Sequence, residues 1–117
     1  MQKIIIFGAT GETGPYVADY AKKYLKNFEI IAVGRKKTDF FEKRGIKYHC
    51  VDIANADDFK VLPNKDIYAA MLIAAVIPRG MQKYDPKAYI DSNIIGAFNV
   101  LEYLRKTGAD RIIYTQT

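Results

Sequence analysis

Cysteine and histidine are almost missing: the 117 residues include one of each, Cys50 and His49. A single cysteine excludes an internal disulfide, which agrees with a reducing compartment. Neighbours on a strand point to opposite faces, so this adjacent pair argues against a metal centre. A secretory signal pattern is also lacking, because Met1–Phe7 runs straight into a glycine turn. The longest apolar run, Ile67 to Ile77, is too short to cross a bilayer as a helix and reads as a buried strand. The expectation is a cytoplasmic protein with no membrane association. Repeats, linkers and low-complexity segments are absent too, which points to one compact domain over residues 1–117. A chain of this size buries roughly two-thirds of its unfolded surface, enough for a core.

Acidic residues are outnumbered, 13 against 18 Lys and Arg, for a net charge of +5. Such an excess suits anionic ligands. Most of these lysines read as solvated positions on helix faces. Arg35, Lys36 and Lys37 form one small cluster, with Lys22, Lys23 and Lys26 on a nearby helix. No recognition helix or base-stacking motif accompanies them, so nucleic acid is not an expected partner.

What the chain does have is a regular alternation of apolar bursts and amphipathic stretches. Lys3–Phe7, Phe28–Val33, Ile46–Val51, Ile67–Ala74 and Arg111–Thr115 read as strands. Thr13–Lys26 reads as a helix, with Val17, Ala18, Ala21 and Leu25 at helical spacing and Pro15 in the first turn. Asp39–Arg44 and Asn55–Leu62 read as short helical stretches. Pro86–Lys106 reads as the longest helix, closed by Gly108. Strands alternating with helices imply a parallel sheet with right-handed crossovers. The fold class is therefore α/β, a Rossmann-type doubly wound sheet of five strands in the order 3-2-1-4-5, one strand short of the six-stranded form. The fifth strand would then be a sheet edge.

Gly8-Ala9-Thr10-Gly11-Glu12-Thr13-Gly14 lies between the first strand and the first helix. That is the context a dinucleotide-binding turn requires. The first glycine allows a sharp reversal, the second lets backbone approach a pyrophosphate, and the third lets the helix pack close to the sheet. The helix N-terminus then offers free N–H groups and positive partial charge to the anion. The spacing is G-x-x-G-x-x-G rather than G-x-G-x-x-G. The candidate cofactor-binding residues here are Gly8, Thr10, Gly11, Glu12, Thr13 and Gly14, with Glu12 contributing its N–H and turning its side chain to solvent.

After the second strand, an NAD-binding domain places an acid that accepts from the adenosine ribose hydroxyls. Here that slot holds Gly34-Arg35-Lys36-Lys37, and no acid follows until Asp39. An arginine there suits a 2′-phosphate, so NADP is expected over NAD, with Arg35 and Lys36 as contacts. Asp52, after the third strand, has two readings: acceptor for the adenine amino group, or cap of an Asx turn.

The chain resembles, along nearly its whole length, the extended short-chain dehydrogenase/reductase family, the sugar-nucleotide epimerases and dehydratases. The glycine turn is the first point of likeness. Val51-Asp52-Ile53 is similar to the family's adenine-contacting acid and its neighbour. Ile73-Ala74-Ala75 is similar to the segment lining the cofactor near ribose and nicotinamide. The most specific match is Asp85-Pro86, Tyr89, Asn93, Gly96, Asn99-Val100-Leu101-Glu102, Gly108 and Arg111-Ile112-Ile113-Tyr114-Thr115. The resemblance implies cofactor contacts at Asp52, Ile53, Ala74 and Ala75. It places Thr117 on the catalytic serine or threonine. The Tyr-x-x-x-Lys that should follow is not in the sequence, so no general base for hydride transfer is evident. The implied protein is the cofactor-binding portion of an epimerase or dehydratase, truncated relative to the full fold, inactive alone, and meeting a sugar nucleotide only with the missing segment. Phe7-Gly8-Ala9-Thr10-Gly11 also looks like the opening of the NmrA-like regulators, which makes a stand-alone NADP(H) sensor the alternative. The fifth strand and the apolar face of the long helix, with Tyr89, Phe98 and Tyr103, lead to an expectation of self-association.

Overall fold

A computed structural model of the chain describes residues 1–73 and 85–115. Five strands form one parallel sheet: β1 (Gln2–Phe7), β2 (Phe28–Gly34), β3 (Lys47–Cys50), β4 (Ile67–Leu72) and β5 (Ile112–Tyr114), in the order β3-β2-β1-β4-β5. This is the order expected from the alternation of elements. Helix α1 spans Gly14–Tyr24 and follows β1. Between β4 and β5 run α2 (Pro86–Tyr89), a π-helical segment Ile90–Gly96, and α3 (Ala97–Thr107).

β1 is central because both of its faces are apolar. Strand side chains alternate, so Ile5 and Phe7 enter one core and Ile6 the other. The first core joins them to Ile31, Val33, Phe59, Val100, Tyr103 and Leu104 beneath α3. The second packs Ile6, Ile30 and Ala32 against Ala18 and Ala21 of α1 and against Phe41 and Ile46. The two helices therefore cover opposite faces of the sheet.

Several elements differ in detail from the periodicity reading. Only Glu42–Arg44 of the 39–44 stretch closes into a 3₁₀ turn. Thr38 Oγ1 accepts from Phe40 N at 3.2 Å, a local competitor for helix formation. The 55–62 stretch is also 3₁₀, Ala56–Val61, with Asn55 as N-cap accepting from Asp57 N. The long helix is not uniform, because a π segment follows its first turn. Such wide turns recur at functional sites. Tyr103 belongs to the core rather than the exposed face expected of it. It packs edge-on against Phe7 at 6.2 Å between centroids and donates its hydroxyl to Pro63 O. The outward apolar positions of the helix are instead Ile94, Phe98 and Leu101.

Candidate functional site

The C-terminal ends of the central strands meet at the glycine turn. Gly8 N and Ala9 N both donate to Val33 O at 2.9 Å, Ile73 N donates to Phe7 O at 3.0 Å, and Val51 N donates to Gly34 O at 2.8 Å. These bonds align the exits of β1, β2, β3 and β4 along one edge. In open α/β sheets this edge, at the point where strand order reverses, is where ligands bind.

The three glycines of the turn play separable parts. Gly8 has φ of 90°, a left-handed conformation that a side chain resists. Gly14 is held by contact: a Cβ there would lie 2.5 Å from the carbonyl carbon and Cα of Ala9. Gly11 has neither constraint. Its φ is not left-handed, and the nearest heavy atom to an added Cβ is Gly8 O at an ordinary 3.4 Å. The fold itself does not require glycine at position 11. Gly11, Glu12 and Thr13 are exposed, whereas Gly14 is buried at the start of α1. The cap residue Thr13 makes no side-chain capping bond.

The basic turn after β2 is braced from β3. Tyr48 donates its hydroxyl to Lys36 O, and Cys50 Sγ donates to Arg35 O at 3.3 Å. Burial first, and then the Cys50 sulfur, push the Tyr48 phenol up to about 12. Arg35, Lys36 and Lys37 themselves are exposed. Between this turn and the glycine turn lies a groove of about 270 Å³, lined by Thr10, Pro15, Lys36, Lys37, Thr38 and Phe40. Asp39, just beyond the basic turn, is ion-paired with Lys43 at 3.1 Å. A larger open groove of about 790 Å³ lies at the other end of the strands, where Lys3, Phe28 and Lys47 begin them. It mixes lysines with Glu29, Glu42 and Asp66 and has no nucleotide-binding motif, so the smaller groove is the candidate site.

Asp52 does form the Asx turn: its Oδ1 accepts from Ala54 N at 3.0 Å, and its own N–H donates to Asp58 Oδ2 at 3.0 Å. The residue is nonetheless exposed beside the site edge. Ile53 is buried, and Asn99 Nδ2 donates to its carbonyl at 2.7 Å, tying α3 to this loop. Gly8, Thr10, Gly11, Glu12, Thr13, Gly14, Arg35, Lys36, Asp52 and Ile53 therefore lie on elements that end at one edge. Ala74, Ala75 and Thr117 lie outside the described residues. The bracing by Tyr48 and Cys50 escapes a motif-based reading. The available signal was their i, i+2 spacing on β3, which puts both on one face.

A family model, "NAD dependent epimerase/dehydratase family", matches residues 4–117. This chain belongs to that family. It is 27% identical over 128 residues to protein CapI of Staphylococcus aureus, covering 98% of this chain and 37% of that protein. Among solved structures it superposes on the UDP-glucose 4-epimerase of Stenotrophomonas maltophila with bound NAD and formylated UDP-arabinopyranose. The TM-score is 0.83 and the identity 18%, over 100% of this chain and 37% of that one. The UDP-Glc/GlcNAc 4-epimerase of Campylobacter jejuni gives a TM-score of 0.81 at 22% identity, over 97% of this chain and 36% of that one. The chain thus spans well under half the length of the relatives it matches.

Proposed function

We propose that residues 1–117 form one NAD(P)-binding domain of an epimerase- or dehydratase-like protein. In this reading Gly8, Thr10, Gly11, Glu12, Thr13 and Gly14 receive the pyrophosphate at the start of α1. The observation that carries the reading is Gly11: it is glycine at an exposed turn where the protein's own packing leaves room for a side chain. A ligand drawn close to the backbone is what such a glycine accommodates.

The adenosine end would lie in the groove between the two turns, its ribose facing Arg35 and Lys36. NADP is favoured over NAD. The groove has lysines on its rim, and Asp39 is engaged by Lys43. Asp52, Ile53, Ala74 and Ala75 would line the adenine and nicotinamide ends. When bound, the cofactor supplies the hydride chemistry. The residues present bind and orient it, and Thr117 would contribute a hydroxyl next to the substrate. General acid–base groups and a sugar-nucleotide pocket would come from outside these 117 residues, so the chain alone is expected to be inactive. Among the described residues no helix is long and apolar enough to cross a membrane. A cytoplasmic location and self-association through the exposed Ile94, Phe98 and Leu101 face belong to the same proposal. The family match supports this reading over a free-standing regulatory sensor.

Calorimetric titration of the chain with NADP⁺ and with NAD⁺ tests the proposal. Saturable binding of one nucleotide is expected, tighter for NADP⁺. No heat of binding for either at millimolar concentration overturns it.

A further inference from the structure

The outer face of α1 carries a feature that neither the core nor the nucleotide edge uses. Tyr16, Tyr20 and Tyr24 are 78%, 64% and 67% exposed. Four-residue spacing puts them in one row along the helix, with the Tyr20 and Tyr24 rings 4.5 Å apart. The buried side of the helix is Gly14, Ala18 and Ala21, so the row lies on the side away from the sheet. Single exposed apolar residues are ordinary, but three large rings in a row make a contiguous patch. Tyrosine is also enriched at interfaces. Asp19 and Lys23 border the row and pair at 3.2 Å. Charge is uneven along the axis: Glu12 precedes the helix, Asp19 sits within it, and Lys22, Lys23 and Lys26 close it.

We propose that this face is a self-association surface, on which α1 packs antiparallel against α1 of a second copy about a two-fold axis beside Tyr20. That operation sets Tyr20 against Tyr20 and Tyr16 against Tyr24. It keeps the charged borders on the same side of the pair. Lys23 of one copy then faces Asp19 of the other, and Lys26 approaches the end that carries Glu12. The helix dipoles also oppose. Parallel packing would instead bring the lysines together. Partly exposed aromatics at this scale give roughly 850 Å² over both copies. That is below the ~1,200 Å² where stable interfaces begin. The dimer is therefore weak and concentration-dependent. α1 and α3 cover opposite faces of the sheet, so this surface is separate from Ile94, Phe98 and Leu101.

Sedimentation velocity of the 117-residue chain up to about 1 mM, a range suited to a weak interface, reads the proposal. The expected result is a sedimentation coefficient that rises with concentration. Phe98→Asp, which removes the α3 face, should leave a rising coefficient, and adding Tyr20→Asp to it should weaken the remaining association at least tenfold. Both sites are exposed, and circular dichroism verifies that the fold is kept. Orientation is read in a Cys50→Ser background with a short bismaleimide. Tyr20→Cys should cross-link to itself much faster than Tyr16→Cys does, while Tyr16→Cys mixed with Tyr24→Cys should cross-link readily. A flat coefficient in Phe98→Asp, equal association of Phe98→Asp with and without Tyr20→Asp, or equal self-linking at positions 16 and 20 overturns the proposal.

Discussion

The side chain of Thr10 lies against the backbone of Gly34: a Cβ at Gly34 would sit 2.6 Å from both Oγ1 and Cγ2 of Thr10. The contact locks the glycine turn after β1 to the end of β2. Those two segments are the ones that must be held in register if one ligand is to touch both the pyrophosphate turn and Arg35.

The glycines of the turn should separate fold from binding. Gly14→Ala forces a Cβ into Ala9 and is expected to cost about 1–3 kcal/mol of stability, the range for overpacking. Gly11→Ala meets only Gly8 O at 3.4 Å. It should change the melting temperature little and weaken NADP⁺ binding severalfold or more. Thermal denaturation and calorimetry on the two variants check the contrast. Equal melting temperatures for the two would refute the assignment of roles.

Arg35→Ala should weaken NADP⁺ binding by roughly ten- to a hundredfold, the equivalent of losing a charge-assisted hydrogen bond of about 1.5–3 kcal/mol. NAD⁺ binding should change little, because it has no 2′-phosphate. Parallel titrations distinguish this from a general loss of positive charge, which would weaken both.

The Tyr48 phenol makes stability fall at high pH. Its value in the fold is about 12 against an ordinary 10.0, so the neutral form is favoured by folding. The stabilisation is complete below pH 10 and is lost as pH rises from there through about 12. Tyr48→Phe should make the fall of the denaturation midpoint between pH 10 and 12 less steep, the remaining slope belonging to Tyr103, whose phenol is also pushed up by burial. The substitution also removes the hydroxyl that holds Lys36 O. An unchanged slope in the variant would show that Tyr48 does not contribute to it.

Asn99→Ala leaves the carbonyl of Ile53 without its 2.7 Å partner in a half-buried place. An unsatisfied buried acceptor costs about 1–3 kcal/mol. Urea denaturation should show the midpoint lowered with an unchanged slope. The variant should also bind nucleotide more weakly, because the loop it anchors carries Asp52 and Ile53.

The sheet was legible in the sequence because β-branched runs such as Ile4-Ile5-Ile6 and Ile30-Ile31 stop at glycines or polar turns. Parallel strands buried on both faces leave that signature. The glycine turn was legible for the same reason: it sits where a strand ends and a helix starts. The details that escaped are set by tertiary contacts. Nothing in the periodicity of residues 86–106 marks the π segment at Ile90–Gly96, since apolar positions at three and four spacing serve either helix. The two short helical stretches became 3₁₀ turns, with Thr38 accepting from Phe40 N just ahead of the first and Asn55 capping the second. Tyr103 was assigned to the surface because a helix with two apolar faces does not reveal which one the sheet takes. Of the two readings of Asp52, the Asx turn shows in its hydrogen bond from Ala54 N.

All four strand pairings are parallel, and none can close as a local hairpin. β1 gains its first neighbour at Phe28 and its second only at Ile67, through Lys3. During synthesis β1 therefore keeps a bare edge until residues 67–72 have been made. Non-local pairing of this kind also folds slowly. Aggregation during production should accordingly depend on how quickly β4 arrives, and slowed translation between residues 34 and 67 should prolong the exposure.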